Sequence, residues 1–359
     1  MNEIYMAGAS VGSLEEEYVL DALRNGWYED KYYYVERLER EFAKHHSRKY
    51  ALMTPNCTTS LHLVLAALGI GAGDEVIVPE CTWIATASPV VYTGATPIFC
   101  DIDEDNWCIN LESLETNVTE NTKVVIAVDL FGNMPRMDEL QVFCDEHGLL
   151  LIEDAAESLG SSYRGVPAGK FGTASVFSFH NTKTMSTGEG GMLLLDDDEL
   201  YERCVVLRDH GRGPNTKPYF NDTVGFKYMP FNIQAALGLA QFHRLDELVG
   251  IKRKHLDFYR NELKDLNVVF NSESNDIVNG AWITAMVLDK KYGMHKNDFI
   301  EMMNEIGVPV RPFFYPLSSI PAFDCSDFYE KRNPISYDVS SRGVNLPGAA
   351  NLTDEQLQF

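Results

Sequence analysis

The chain has 359 residues, which at about 150 residues per domain sets an expectation of two domains and leaves ample length for a buried core. Lys plus Arg number 30 and Asp plus Glu 53, a formal charge of −23, and so acidic a surface repels phosphodiester backbones and anionic bilayers. Nucleic acid and membrane are thereby excluded as main partners, and an anionic ligand needs cationic or dipolar groups concentrated at its own site.

In chain order, the opening MNEIYMAGASVGSLEEE has neither the basic start nor the apolar run of a secretory signal, and no stretch reaches the ~18 apolar residues of a membrane span. Residues 1–12 are expected to be an extended arm leading into a large α/β domain over 13–244. From about residue 13 to 200, helical patterns alternate with short apolar runs of the kind a buried parallel sheet requires. The predicted strands are Glu75–Pro79, Thr96–Cys100, Val124–Val128, Leu149–Glu153, Ser175–Phe179 and Gly191–Leu195, with amphipathic segments such as Thr59–Leu68, Trp83–Tyr92 and Met137–His147 between them. That rhythm predicts a mostly parallel central sheet with helices on both faces. A charge-laced helical pattern over Leu237–Leu263 reads as one long helix bridging two lobes. After it the pattern changes to a strand-like AWITAMVLD, a helix KNDFIEMMNEIG and an extended VPVRPFFYP, which predict a smaller α+β domain over 245–359. The closing LTDEQLQF reads as the opening of a helix with a Thr cap and an acidic first turn, with a further turn or two expected beyond it. The cysteines number 7, are scattered and include no C-x-x-C pair, so reduced thiols, no metal site and a cytoplasmic location are expected.

Two glycine-rich segments have other readings. GIGAGDEVIVP resembles a dinucleotide fingerprint, but its glycines follow a helix and precede a strand, which makes them a C-cap and turn. TGEGG at Thr187–Gly191 has no Gly-Lys-Ser/Thr after it and is no P-loop.

Asp154 in LLLIEDAAES and Lys183 in FSFHNTKTMSTGEGG each lie just past an apolar strand, where open α/β sheets place ligands. A carboxylate there can be a simple helix cap. Lys183 is harder to explain as surface, because it stands among Ser, His, Asn and Thr between a core strand and a Gly-rich turn. A lysine so placed can form a Schiff base, and an Asp facing it can keep a pyridinium nitrogen protonated, the pairing that pyridoxal 5'-phosphate requires. Asn56, Cys57 and Thr58 lead into a helix whose free N–H groups suit a phosphate, or else form an ordinary capped core helix. Trp83 can stack on a pyridine ring or pack in the core.

In that order, and on the motifs GDEVIVP, GATPIFCDID, IEDAAES, GKFGTASVFSFHNTK and TGEGGM, the chain from about residue 13 onward resembles the fold type I pyridoxal phosphate enzymes, specifically the sugar-nucleotide aminotransferases of the DegT type. The resemblance implies Lys183 as the Schiff-base lysine, Asp154 as partner of the pyridine nitrogen, Trp83 as the stacking ring and Glu157 near the cofactor's 3-hydroxyl. It further implies Thr58 and Ser178 as phosphate contacts and Asn232, in YMPFNIQAALG, as a cofactor contact supplied by the neighbouring subunit of a homodimer with composite sites. Two departures stand out: Cys57 occupies a position that is usually glycine, strained if its φ is positive, and GWYEDKYYYVERLE lacks the family's Ser/Gly-rich turn. The segments VRPFFYPLSSIPAF and SSRGVNLPG most resemble the branch that aminates GDP-4-keto-6-deoxymannose at the 4-position, giving GDP-perosamine, with L-glutamate as the implied donor. Enzymes acting on UDP- or dTDP-linked 4-keto-6-deoxyglucose share most of these motifs. A 3-dehydratase branch carries histidine in place of Lys183, and a non-catalytic cofactor-binding regulator would lack Lys183 or Asp154. For the anionic sugar nucleotide, the candidate cations are Arg208, His210, Arg212 and Arg311, weighed against ordinary surface charge; His180 reads as a packed neighbour of the lysine.

Overall fold

The computed structural model describes residues 3–213 and 217–359. Residues 3–12 carry no regular structure, yet they are held down: the N–H groups of Gly348 and Ala350 donate to the carbonyls of Met6 and Gly8 at 2.9 and 3.1 Å. Helices α1 (Ser13–Asn25) and α2 (Tyr33–His45) follow, then strand β1 (Tyr50–Thr54). Helix α3 (Cys57–Leu68) starts on an Asn56 cap and stops at Gly69, whose φ of 81° confirms the glycines of GIGAG as a C-cap and turn. Strands β2 (Glu75–Pro79), β3 (Thr96–Cys100), β4 (Thr122–Val128) and β5 (Leu150–Asp154) alternate with helices α4 (Ser88–Thr93), α5 (Leu111–Asn117) and α6 (Met137–His147). A small hairpin, β6 (Ser162–Tyr163) and β7 (Val166–Pro167), precedes the core strands β8 (Ala174–Ser178) and β9 (Gly191–Leu195).

The seven-stranded sheet has the order β1-β9-β8-β5-β4-β2-β3. Neighbours from β8 across to β3 are parallel, whereas β9 pairs antiparallel with both β1 and β8, so β9 alone runs against the rest. The strands are buried on both faces, which is why their sequences are continuous apolar runs rather than alternating ones. The predicted strands appear within a residue or two of their expected ends. β1, with the sequence YALMT, is not among the predicted strands.

Two helical expectations need correction. Trp83–Tyr92 is a 3-10 turn, Ile84–Thr86, followed by the short α4; Pro89 sits in the first turn of α4, where its missing N–H costs nothing, and could not have lain inside one longer helix. After α7 (Asp198–Arg208), the single helix expected over Leu237–Leu263 is two, α8 (Asn232–His243) and α9 (Leu245–Glu262), parted at Arg244. Arg244 leaves helical geometry and grips Glu15 on α1 at 2.7 Å and Glu247 at 2.7 Å. α8 is apolar nearly all round and packs against α1 and α2 in the interior.

Beyond α9, strand β11 (Ile277–Val278) joins the β6–β7 hairpin. Strands β10 (Val268–Phe270), β12 (Ala285–Leu288), β13 (Arg311–Pro312) and β14 (Gly343–Asn345) form a second sheet of order β10-β12-β14-β13, packed with helices α10 (Lys296–Glu305) and α12 (Pro334–Arg342). Helix α11 (Ser326–Tyr329) is a single turn, and α13 (Asp354–Gln358) opens on its Thr353 cap as expected. Buried carboxylates at the ends of β2 and β3 join this part to the large sheet. Glu80 accepts from Ser318 N at 2.8 Å and Asn333 Nδ2 at 2.7 Å, and Asp101 accepts the N–H groups of Ile335 and Ser336 that open α12, at 3.1 and 2.8 Å. Among the described residues no helix is long and apolar enough to cross a membrane.

Candidate active site

Lys183 sits in the excursion between β8 and β9. The loop closes on itself through Phe179 N to Gly190 O at 2.8 Å and Thr187 N to Phe179 O at 2.9 Å, and Lys183 N donates to His180 O at 2.9 Å. TGEGG needs its glycines for close approach: a Cβ on Gly191 would collide with the Asn56 and Cys57 backbone. The Lys183 side chain is held inward, with Nζ 3.0 Å from Glu157 Oε1 and 3.6 Å from the centroid of the Trp282 ring.

Asp154 ends β5 and is buried. Its Oδ2 accepts from Thr86 Oγ1 at 2.8 Å and its Oδ1 from Ala156 N at 3.2 Å. Burial pushes its carboxyl up to about 6; the Thr86 and Ala156 bonds and the Lys183 charge oppose that rise, while the Glu157 charge adds to it. Glu157 is buried as well, its second oxygen accepting from Phe131 N at 2.9 Å. Cys57 belongs to the same cluster: burial drives its thiol well above the usual range, and the charges of Asp154, Lys183 and Glu157 all act on it.

The helix start beside this cluster suits an anion. Asn56 caps α3 through Thr59 N at 2.9 Å, and Cys57 and Thr58 open the helix, where backbone N–H groups lack intrahelical acceptors. Cys57 is an ordinary helical residue, absent from the left-handed positions, so replacing the usual glycine leaves no strain. Ser178 pairs with Gly191 at the strand ends and so lies beside the Asn56–Thr58 turn. Trp83 caps the 3-10 turn that delivers Thr86 to Asp154; it is 59% exposed, with its ring tilted over Phe314 at 6.0 Å.

The structure therefore brings Asn56, Cys57, Thr58, Asp154, Glu157, Ser178 and Lys183 together, with Trp83 on the turn beside them. It does not do so for two other predicted residues. Asn232 is buried and bonded within its own chain: Oδ1 accepts from Tyr34 N at 2.8 Å, and Nδ2 donates to the carbonyls of Gly26 and Asp30 at 3.3 and 3.2 Å. These three bonds fix the α1–α2 connection from within the chain. Arg208 is likewise internal, pairing with Glu39 at 2.6 Å and donating to Met53 O at 2.9 Å, so it ties α7 to α2 and β1 and forms no positive edge for a substrate.

His210 and Arg212 are exposed, Arg212 pairing with Asp209 at 3.4 Å, and the segment just after them lies outside the described residues. Arg311 is exposed on β13 of the second sheet. His180 is partly exposed and faces Glu189 at 3.7 Å. Two members of the site were missed in the sequence. Thr86 falls inside the predicted Trp83–Tyr92 helix, where nothing local marks it as the partner of Asp154. Trp282 was read as part of a strand that begins only at Ala285; it lies in the lead-in, with Nε1 donating to Thr182 O at 2.7 Å.

The donor set fits pyridoxal phosphate. An inward amine, a buried carboxylate close enough to feel its charge, an open helix start and an exposed indole answer to the cofactor's aldehyde, ring nitrogen, phosphate and ring face. Comparison with known proteins agrees. Residues 10–359 match the family model for DegT/DnrJ/EryC1/StrS aminotransferases. The chain is 36% identical over 350 residues to the GDP-perosamine synthase of Vibrio cholerae, covering 97% of this chain and 95% of that one, and 36% identical to the GDP-perosamine synthase of Escherichia coli O157:H7, covering 98% and 94%. Among solved structures it is similar to Spr1654 of Streptococcus pneumoniae in its pyridoxal phosphate form, with TM-score 0.92, 26% identity and 99% and 96% of the two chains covered. It is also similar to an aminotransferase from Psychrobacter cryohalolentis, with TM-score 0.90, 28% identity and 99% and 96% covered. The chain belongs to the DegT/DnrJ/EryC1/StrS aminotransferase family, has the fold of the type I pyridoxal phosphate enzymes and is a pyridoxal phosphate-dependent aminotransferase.

Proposed function

We propose that the protein moves an amino group from L-glutamate to the 4-keto carbon of a nucleotide-linked 4-keto-6-deoxy sugar, GDP-4-keto-6-deoxy-D-mannose, to give GDP-perosamine. The observation that carries the chemistry is the buried Asp154 at the end of β5 together with the inward Lys183 of the β8–β9 loop, whose charge acts on it. The sugar and nucleotide rest on the two GDP-perosamine synthases at 36% identity over nearly the whole chain.

Bound pyridoxal phosphate supplies the electron sink that lets an amine leave one carbon skeleton and enter another. Lys183 Nζ would hold the cofactor and, once free, would carry the proton from the amino donor's α-carbon to the cofactor's 4′-carbon; the same moves reversed would serve the second half of the cycle. Asp154, as a buried carboxylate, would keep the proton on the pyridine nitrogen by countering its charge. Glu157 Oε1 steadies the free ammonium at 3.0 Å. Cys57 and Thr58, through the start of α3, and Ser178 bind the phosphate, while Trp83 covers one ring face. His210, Arg212 and Arg311 offset the acidic field toward the sugar nucleotide's diphosphate.

The enzyme acts as a cytoplasmic homodimer with its domains divided at 244/245. The exposed aromatic residues Trp27, Tyr28 and Phe231 beside the α1–α2 connection support a subunit contact, and the free cysteines fit a reducing compartment. Measuring kcat/KM with glutamate for GDP-, UDP- and dTDP-linked 4-keto-6-deoxy sugars tests the assignment. The GDP-mannose derivative should lead, because a site built to hydrogen-bond one base or hydroxyl rejects its analogue by about 10⁴-fold or more. A tenfold preference for a UDP- or dTDP-linked sugar would overturn the GDP-perosamine assignment and leave the aminotransferase intact.

A further inference from the structure

We propose that Trp282 is a positioning residue for Lys183, its indole face serving as the seat on which the lysine ammonium rests and its N–H fixing the turn that carries the lysine. A buried tryptophan near the junction of two sheets is ordinarily core packing, and three observations lift Trp282 above that reading. Its Nε1 donates to the carbonyl of Thr182, the residue just before the lysine, at 2.7 Å. Its ring face is occupied by Lys183 Nζ, 3.6 Å from the centroid, and indole is the strongest aromatic partner for a cation.

The third observation is that both partners of the ammonium are set by one residue. Phe131 stacks on Trp282 at 6.1 Å and 18°, and its backbone N–H holds Glu157 Oε2 at 2.9 Å while Glu157 Oε1 holds Lys183. Phe131 has a φ of 54°, a left-handed conformation that a bulky residue adopts only where its surroundings impose it. Asn271, fully buried, imposes it from the second sheet: its Nδ2 donates to Phe131 O at 2.6 Å and to Ile283 O at 2.9 Å, beside Trp282. Lys183, Glu157, Phe131 and Trp282 thus form a closed ring of contacts. Through it the segment entering β12 sets where the amine of the first domain stands. The functional meaning of this seat rests on the reading of Lys183 as the reactive amine, but the seat itself can be measured without cofactor.

In cofactor-free protein, acetylation by sulfosuccinimidyl acetate followed by peptide mass spectrometry reports the labelling rate of Lys183 against the exposed Lys254. Trp282→Leu fills the site without a π face and should speed Lys183 labelling about tenfold, while Trp282→Phe, which restores a face but no N–H, should fall between Leu and wild type. Unchanged labelling in Trp282→Leu, or equal labelling in Leu and Phe, overturns the proposal. A second measurement covers the case in which the Leu variant fails to fold. Lys183→Met should change the tryptophan emission spectrum of the wild-type background and leave that of a Trp282→Phe background unchanged; identical emission with and without the lysine overturns the proposal. If labelling and emission behave as expected while no transamination is found, the proposed reaction fails and the seat stands.

Discussion

Asp154 and Asp101 are both buried aspartates at the C-terminal edge of the same parallel sheet, and they are held in different ways. Asp101 receives Ser336 N, Ser336 Oγ and Ile102 N on Oδ1 at 2.8, 2.7 and 3.0 Å, and Ile335 N on Oδ2 at 3.1 Å. Three of those donors are backbone N–H groups, which cannot reverse direction. Asp154 has one backbone donor, at 3.2 Å, and one hydroxyl, from Thr86, which can turn from donor to acceptor because Thr82 Oγ1 stands 3.1 Å behind it. The first environment is built of donors with fixed directions and joins two parts of the protein; the second includes a donor that can turn. Burial alone does not make an acid functional. Which donors face it, and whether they can be turned, separates a fastening from a reactive group.

The largest expected effect removes the amine that makes the Asp154 end reactive. Lys183→Ala should abolish the visible absorbance of the cofactor-loaded protein and lower turnover by about 10⁴-fold or more, with far-ultraviolet circular dichroism unchanged. Wild-type turnover in this variant would show that the cluster is only structural. Asp154→Asn should cost about 10²- to 10³-fold in kcat, because an amide cannot counter a pyridinium charge.

The same variant makes a stability prediction of opposite sign. The folded protein raises the Asp154 carboxyl from 3.8 to about 6, so it binds the proton more tightly than the unfolded chain does. Stability owed to this group is therefore present below about pH 4, is lost as pH rises toward 6 and stays lost above it. Two pH units correspond to about 3 kcal/mol. Cofactor-free Asp154→Asn, whose amide keeps the Ala156 bond and donates to Thr86, should be more stable than wild type by up to about that amount at pH 7.5, and close to it at pH 4. Denaturant melts at the two pH values check this, and equal stability at both would mean that the carboxyl titrates normally.

How much of this was legible in the sequence follows the range of each interaction. EVIVP, KVVIAV and LLIED are local apolar runs, so the sheet could be read, and Asp154 and Lys183 could be read because each stands just beyond such a run. The contacts that give those residues their character are distant. Thr86 reaches Asp154 across 68 positions and Trp282 reaches Thr182 across 100, with nothing local to announce either. Arg208 was misplaced for the same reason: it looks like a free cation at a helix end until Glu39, 169 positions away, is found against it.

The smallest effect sharpens the comparison most, because it makes the same isosteric change at the other aspartate. In Asp101→Asn, one carboxylate oxygen becomes an NH₂. If the amide oxygen stays with Ser336 and Ile102, the NH₂ faces the Ile335 N–H, donor against donor; if the amide turns over, the NH₂ faces those three groups instead. Either way a buried N–H at the start of α12 loses its acceptor, a cost of about 1–3 kcal/mol. For a chain of this size that lowers the thermal midpoint by roughly 1–4 °C. The seam holds no reacting group, so kcat measured well below that midpoint should stay within about threefold of wild type. One substitution then stabilises the sheet edge at Asp154 while silencing the enzyme, and the same substitution destabilises it at Asp101 while sparing turnover. If Asp101→Asn proved as stable as wild type, the rigid-donor account of the seam would fall; if it lost activity as deeply as Asp154→Asn, the seam would have to be counted part of the catalytic machinery.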